Sequence, residues 1–409
     1  MAIIKTPNKV DMILDRLVAV GYEAVIVGGC VRDSIMGITP HDWDIATSAQ
    51  PTEIMKTFSD YRLMTAGLKH GTVTVIIDHE PYEITTYRVD GKYSDFRRPD
   101  SVDFTCDLSE DIMRRDFTIN AIAYDGEKII DLHDGIGDLQ RRIIRCVGSA
   151  EERFQEDPLR ILRAIRFAAR FDFKIEKSTS DAMRKYMHLL DKIAIERKQS
   201  EFSKTICSNG KEVLKEYPDI LDFVMPGIAE IKDWGDVVDQ INVSQDLCEK
   251  LAIIIDKLNI EEYNDVVELV AKIMKYPNNV TKSICNIIKC KKELITDSKI
   301  CIRYLLSKYP AEDVIKTINY KIAKISHGNK EEIEKFRHIK KVIAEITGSP
   351  GIFCYDLKHL DINGHDLKAI GIPEIKIKDY LSNLLYMVMT NQIENRKEKL
   401  IQVVNNSIL

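Results

Sequence analysis

The 409-residue sequence has no uninterrupted apolar run approaching the roughly 20 residues that a membrane-spanning helix needs. Its N-terminal stretch MAIIKTPNKVDMILDRL carries Asp11 and Asp15 among the apolar residues, which argues against an export signal. The 9 cysteines are odd in number and scattered, and the closest pair, Cys285 and Cys290, lacks Cys-x-x-Cys spacing. Neither a disulfide framework nor a structural zinc site is therefore expected; the pattern reads as reduced thiols in a soluble, cytoplasmic protein. No charge sign dominates, since 59 Lys+Arg nearly balance 64 Asp+Glu, so the net charge of -5 neither implies nor excludes a nucleic-acid partner. GGCVRD (28–33) lacks the Gly-x-Gly-x-x-Gly spacing and no Gly-x-x-x-x-Gly-Lys-[Ser/Thr] occurs, which removes most of the weight from dinucleotide-fold and P-loop readings. Fixed-period repeats and low-complexity tracts are also absent.

What remains is a chain with 44% hydrophobic and 30% charged residues, long enough for several packed domains. Residues 22–29 (YEAVIVGG) are an apolar run closed by two glycines, and VRDSIM behind it can start a helix. DWDIAT (42–47), TVTVIID (72–78), YEITTYR (82–88) and KIIDL (128–132) read as strands, with a turn at His79, Glu80 and Pro81. From Glu151 onward the strand signals largely stop and helices broken at Pro218, Pro226, Pro277 and Pro310 follow. The expected class is an α/β head followed by a long helical remainder.

Asp42 and Asp44 flank Trp43 on one of the predicted strands, where the two-residue period puts both carboxylates on one face with Cα atoms roughly 6.5–7 Å apart. Such a pair can hold a pair of Mg²⁺ ions, which lie about 3.5–4 Å apart in two-metal phosphoryl-transfer sites. Gly28 and Gly29 precede it by one short helix; they serve either a tight turn or the approach of a triphosphate to bare backbone N–H groups, with Arg32 as charge partner. Glu83, on a neighbouring predicted strand, either completes the carboxylate set or is an edge-strand charge. In RRDFTINAIAYD (114–125), Arg115 suits triphosphate oxygens, while Asp116 either accepts a ribose hydroxyl or caps a helix.

The sharpest constellation is EDPLRILRAIRFAAR (156–170). Leu159, Leu162, Ile165 and Ala169 form the inward stripe of a helix, leaving Asp157, Arg160, Arg163, Arg166 and Arg170 to the other face. No acid interrupts Arg160–Arg170, so mutual repulsion calls for an anionic partner such as a nucleotide or an RNA backbone. Asp157 and Arg160, three apart, can either form a local ion pair or read a base edge. A carboxylate accepting from an exocyclic amino group beside a guanidinium donating to a ring nitrogen matches cytosine and adenine and mismatches uracil and guanine.

These motifs, in this order, with DLHDGIGDLQRRIIRCVG (131–148) and IAIERKQSEF (193–202), resemble the class II CCA-adding tRNA nucleotidyltransferases. The resemblance covers roughly residues 20–205 and thins beyond, where only DINGHDLKAIGI (361–372) is similar to a tail-domain element of that family. It implies a polymerase-β-like nucleotidyltransferase head (1–142), a helical neck with a nucleotide-selecting helix (143–205), a helical body (206–325) and a helical tail that contacts tRNA (326–409). It further implies Mg²⁺ at Asp42 and Asp44, a catalytic contribution from Glu83, and nucleotide contacts from Gly28, Gly29, Arg32, Arg115, Asp116, Asp157, Arg160, Arg163 and Arg166. The substrates would be tRNA, CTP and ATP, with no membrane or protein partner. A full-length loop, VDGKYSDFRRPDSV (89–102), disfavours a CC-only enzyme, while A-only addition, a poly(A) polymerase and a non-catalytic RNA-binding protein remain as rivals.

Overall fold

Runs rich in valine, isoleucine and threonine become strands because β-branched side chains suit a pleated, half-buried surface. In order they are β1 (Ala24–Val27), β2 (Ile45–Thr47), β3 (Arg62–Met64), β4 (Thr72–Ile77), β5 (Glu80–Thr86), β6 (Arg88–Asp90), β7 (Val102–Phe104), β8 (Ile122–Tyr124) and β9 (Ile129–Asp131). Seven pair as one sheet, β3-β4-β5-β2-β1-β8-β9, β6 with β7 forms a separate hairpin, and two further short strands, Ile143–Ile144 and Lys174–Ile175, pair in parallel. Only β2 and β5 run parallel; the other neighbours in the seven-stranded sheet are antiparallel. The computed structural model describes residues 4–91, 101–325, 329–349 and 352–408. Most of the loop expected after β5, with Arg97, Arg98 and Asp100, lies outside the described residues, as do residues 326–328 at the expected start of the tail.

Two strand expectations shift. The β4–β5 turn falls one residue early, at Asp78 and His79, whose φ values of 49° and 68° give the doubly left-handed turn that matches strand twist. Ile77 then pairs with Glu80, and Pro81 sits where β5 meets only β4. The second shift matters more: β2 starts at Ile45, so Asp42 and Asp44 precede the strand rather than lie on it. The physical cause is the partner, since β1 ends at Val27, whose N–H still reaches Asp44 O (3.0 Å), and Gly28 with φ 85° turns the chain away. Trp43 and Asp42 are left with no strand to pair.

The helices of the same region are α1 (Asn8–Ala19), α2 (Gly29–Ile35), α3 (Pro51–Thr57), α4 (Leu108–Met113), α5 (Gly135–Arg141), α6 (Ala150–Glu156), α7 (Leu159–Phe171), α8 (Lys177–Tyr186) and α9 (Ile195–Ile206). α7 is built from strong helix formers, begins behind Pro158 and ends where Asp172 adopts φ 55°. Its expected stripe is buried, but Ile161, Ala164, Phe167 and Ala168 are buried too, so the helix is enclosed on more than one side. Gly210 explains one such contact: a Cβ there would stand 2.2 Å from Ala169 Cα.

The chain divides into two compact units at Ala229 and Glu230. In the second unit every regular element among the described residues is helical. One core gathers Ile302, Leu305, Val314, Ile318, Ile339 and Ile343, and a second gathers Leu367, Leu384, Val388, Leu400 and Val404. Helix Lys330–Gly348 shares the first of these cores with helices Lys299–Lys308 and Ala311–Ile325. Pro277 and Pro310 act as punctuation there, each standing immediately before a helix.

Candidate active site

The turn out of β1 sets the site. Gly28 takes φ 85°, ψ -131°, and a Cβ on it would lie 3.3 Å from Arg115 Nη1 and 3.9 Å from Asp44 Oδ2. The Gly28 N–H is already committed to Ile122 O at 3.1 Å, so of the two glycines this one contributes shape and close approach rather than a free donor. Arg32, one turn into α2, is buried; it bonds Asp33 and donates to Asn120 Oδ1. Asp44 faces the same space. Crowding by surrounding protein raises its carboxyl above the ordinary value, with Arg115 opposing and the charge of Asp42 adding to the rise. Asp42 thus stands close enough to repel it.

This pair fits a hard divalent cation: two carboxylates offer oxygen ligands and leave further coordination positions for phosphate oxygens. Among the described residues no group of three or more His, Cys, Asp and Glu side chains converges on one point, so a third carboxylate does not join them. Glu83 is exposed on β5 opposite Thr74, one residue before Ile84, the partner of Ile45. The expectation that its strand neighbours the DWD segment holds.

Opposite the glycine turn, Asp116 is the hub. It does not cap an α-helix: it precedes a single 3₁₀ turn, Thr118–Asn120, and accepts from Asn120 Nδ2 (3.0 Å) and from Arg163 Nε (2.8 Å). Burial alone would raise its pKa, but Arg163, Asn120 and Arg160 outweigh it and pull the carboxyl down to about 2. Asn120, in turn, presents its amide oxygen to Arg32, so one amide links the two sides of the site.

The arginines of α7 correct an expectation. Much of their repulsion is relieved without a ligand, because other elements deliver carboxylates: Glu156 to Arg160 (2.6 Å), Asp116 to Arg163 (2.7 Å), Glu201 to Arg166 (3.2 Å) and Asp33, shared with Arg32, to Arg170 (3.3 Å). Arg163 and Arg166 also stack over the Phe167 ring. Asp157 lies outside the helix that carries Arg160. It is extended, as a residue before proline prefers, and its carboxylate accepts from Leu159 N (3.0 Å) and Arg197 Nη2 (2.9 Å). Arg160 bonds Glu156 and Arg114 O, so the expected i,i+3 helical geometry of Asp157 and Arg160 is replaced by two separate anchorages.

All these groups line one cavity of about 500 Å³: Gly28, Gly29, Arg32, Asp44, Arg115, Asp116, Asp157, Arg160, Arg163 and Arg166. Asp42 and Glu83 are not in its wall. Sequence reasoning passed over Asn120, Phe167 and Arg197, which also line it, as does Arg170, which it placed on the basic face of the helix but not among the nucleotide contacts. Asn120 and Arg197 lie inside quoted motifs, but their partners, Arg32 and Asp157, are 88 and 40 residues away, out of reach of local pattern. A cavity with so many guanidiniums beside two clustered aspartates suits a polyanion that reacts with metal assistance.

Residues 24–145 match the family described as "Poly A polymerase head domain", and residues 172–231 match "Probable RNA and SrmB- binding site of polymerase A". The chain is 37% identical over 399 residues to the CCA-adding enzyme of Ligilactobacillus salivarius, covering 95% of this chain and 94% of that protein. It is 40% identical over 373 residues to the CCA-adding enzyme of Lactobacillus johnsonii, covering 88% and 87%. Among solved structures, the Bacillus stearothermophilus CCA-adding enzyme in complex with CTP superposes with a TM-score of 0.83 at 29% identity, covering 98% of this chain and 99% of that one.

Proposed function

The chain belongs to the family of CCA-adding enzymes, and on that premise we propose how its cavity performs the reaction. The protein is a tRNA nucleotidyltransferase that adds the 3′-terminal CCA to tRNA from CTP and ATP without a template. The tRNA 3′-hydroxyl attacks the nucleotide α-phosphate in line and pyrophosphate leaves. The observation that carries the assignment of residues is the convergence of the Gly28 turn, Asp44 and the α7 arginines on a single cavity.

In this reading the triphosphate lies along Gly29, Arg32 and Arg115, Asp116 accepts a ribose hydroxyl, and Asp157 with Arg160 meets the base edge. Asp116 is a carboxylate at any physiological pH, so toward a ribose hydroxyl it accepts and never donates, in competition with the Phe117 N–H, Asn120 and Arg163, which already donate to it. Asp157 is held by Arg197 and Arg160 by Glu156, which fixes both groups before a base arrives and lowers the ordering cost of recognition. Family members use divalent metal ions; Asp42 and Asp44 would hold Mg²⁺ here, and it would supply positive charge to acidify the attacking hydroxyl and offset that of the phosphates. The working compartment is the cytoplasm, and among the described residues no helix is long and apolar enough to cross a membrane.

The test supplies tRNAs lacking CCA, ending in C, and ending in CC with each of the four triphosphates separately. Stepwise C, C and A incorporation is expected. Addition of A alone, or of a long A tract, would replace this reading with an A-adding enzyme or a poly(A) polymerase. Binding without incorporation would make it a non-catalytic RNA-binding protein.

A further inference from the structure

α7 runs along the cavity wall, and of its four arginines only Arg170 is not among the expected nucleotide contacts. Arg170 lines the cavity, yet its side chain is 48% exposed where that of Arg32 is 4%. Both guanidiniums rest on the same carboxylate: Arg32 lies 2.7 Å and Arg170 3.3 Å from Asp33. Both also stand over the same ring, Phe171, at 4.8 and 4.9 Å from its centroid. Arg32 holds the closer position and a second anchor at Asn120, so Arg170 is the looser of the two.

Charge arithmetic at Asp33 leaves a remainder. Arginine stays protonated in proteins, so two guanidiniums on one carboxylate carry one positive charge that Asp33 does not balance. The surplus sits on the half-exposed member, beside α2, at the end of the cavity where Arg32 lies. At 1.5 Å rise per residue, Arg170 is about 15 Å along α7 from Arg160. The helix therefore sets out Arg160, Arg163, Arg166 and Arg170 in the order in which a nucleotide presents base, ribose and phosphates.

We propose that Arg170 is a further nucleotide-binding residue, supplying a second guanidinium beside Arg32 to the outer phosphates of CTP and ATP. The proposal rests on the reading above in which Arg32 marks the triphosphate end. Phosphate oxygens compete with Asp33 for Arg170, and the Phe171 ring keeps the guanidinium flat against the wall during the exchange.

The experiment uses the full chain and its Arg170→Ala and Arg170→Lys variants, with tRNA lacking CCA and varied CTP, then tRNA ending in CC and varied ATP. Arg170→Ala should raise KM for both nucleotides about tenfold, the scale of one charge-assisted contact at a half-exposed site, with kcat and the KM for tRNA unchanged. Arg170→Lys should recover much of the loss. Inhibition by pyrophosphate should weaken by the same factor in Arg170→Ala, while inhibition by CMP, which lacks the outer phosphates, should not move. An unchanged nucleotide KM overturns the proposal, and a rise confined to tRNA places Arg170 against RNA instead. Equal weakening of pyrophosphate and CMP together with a lowered Tm reduces it to a clasp between α7 and α2. A wild-type chain that incorporates no nucleotide would overturn the reading of the site itself, whereas normal wild-type activity with an unaffected Arg170→Ala variant overturns only this inference.

Discussion

Asp116 in the first unit and Asp256 in the second are both carboxyls held at about 2, and they are held there for different ends. Burial would raise Asp256, but Lys291 and Lys324 both donate to it and outweigh that. The result ties helix Leu247–Lys257 to helix Ala311–Ile325 and to the residue following helix Asn278–Cys290. Asp313 does similar work with Ser283 and Asn286, as does Glu249 with Ser244 and Asn319. Around Asp116, by contrast, the arginine partner lies in a cavity wall; nearby, Asp33 is shared by Arg32 and Arg170 as Asp256 is shared by two lysines, but both of those arginines line the cavity. A depressed carboxyl marks a well-paired charge. Only convergence on open space with positive charge left over marks a binding site.

Six substitutions would break or sharpen that contrast. The largest effect is expected at Asp42→Ala or Asp44→Ala, which should lower incorporation of both C and A by several kcal/mol, about a thousandfold or more, with tRNA binding retained. Gel-shift and single-turnover assays at saturating Mg²⁺ check both halves; near-normal incorporation would remove the pair from catalysis. Asp157→Asn should come next, narrowing the preference for CTP and ATP over UTP and GTP by about 1–3 kcal/mol, roughly ten- to a hundredfold, in kcat/KM. Since Arg197 also holds Asp157, Arg197→Gln should shift the same ratio by less.

Asp116→Asn should cost about 2 kcal/mol of stability together with nucleotide affinity. Its folded pKa lies below the unfolded one, so the stabilisation is complete above the ordinary carboxylate value near pH 4 and is lost as pH falls through about 2. Urea unfolding of wild type and variant across that range should show the gap close on acidification; a gap constant with pH would deny the charged pair its role. Asp256→Asn should show the same pH signature, a modest fall in Tm and unchanged KM for CTP. Loss of nucleotide affinity there would erase the distinction between brace and site.

Much of the head was legible because its signals are local. Alternating β-branched residues placed β4 and β5, the Gly-Gly pair marked the end of β1, and Pro158 ahead of leucines, arginines and alanines marked the start of α7, although Asp157 was expected on that helix and lies outside it. The DWD segment was misplaced onto a strand because composition shows what favours pairing, whereas the length of a strand is set by where its partner stops. In the helical second unit the periodicities found helices but not their grouping: that Lys330–Gly348 shares a core with Lys299–Lys308 depends on contacts between residues far apart in sequence.

The residue types at the site were set by the sequence itself: two aspartates astride a tryptophan, a glycine able to hold φ 85°, and a helix face of arginines without an interleaved acid. Apart from Glu156, four residues before Arg160, which carboxylate each arginine takes was decided by tertiary structure alone. Asp116, Glu201 and Asp33 come from three other places along the chain, and an ion pair depends on distance in space rather than separation in sequence. For the same reason only the folded chain shows that Asp33 is asked to balance two guanidiniums, leaving Arg170 turned toward the cavity.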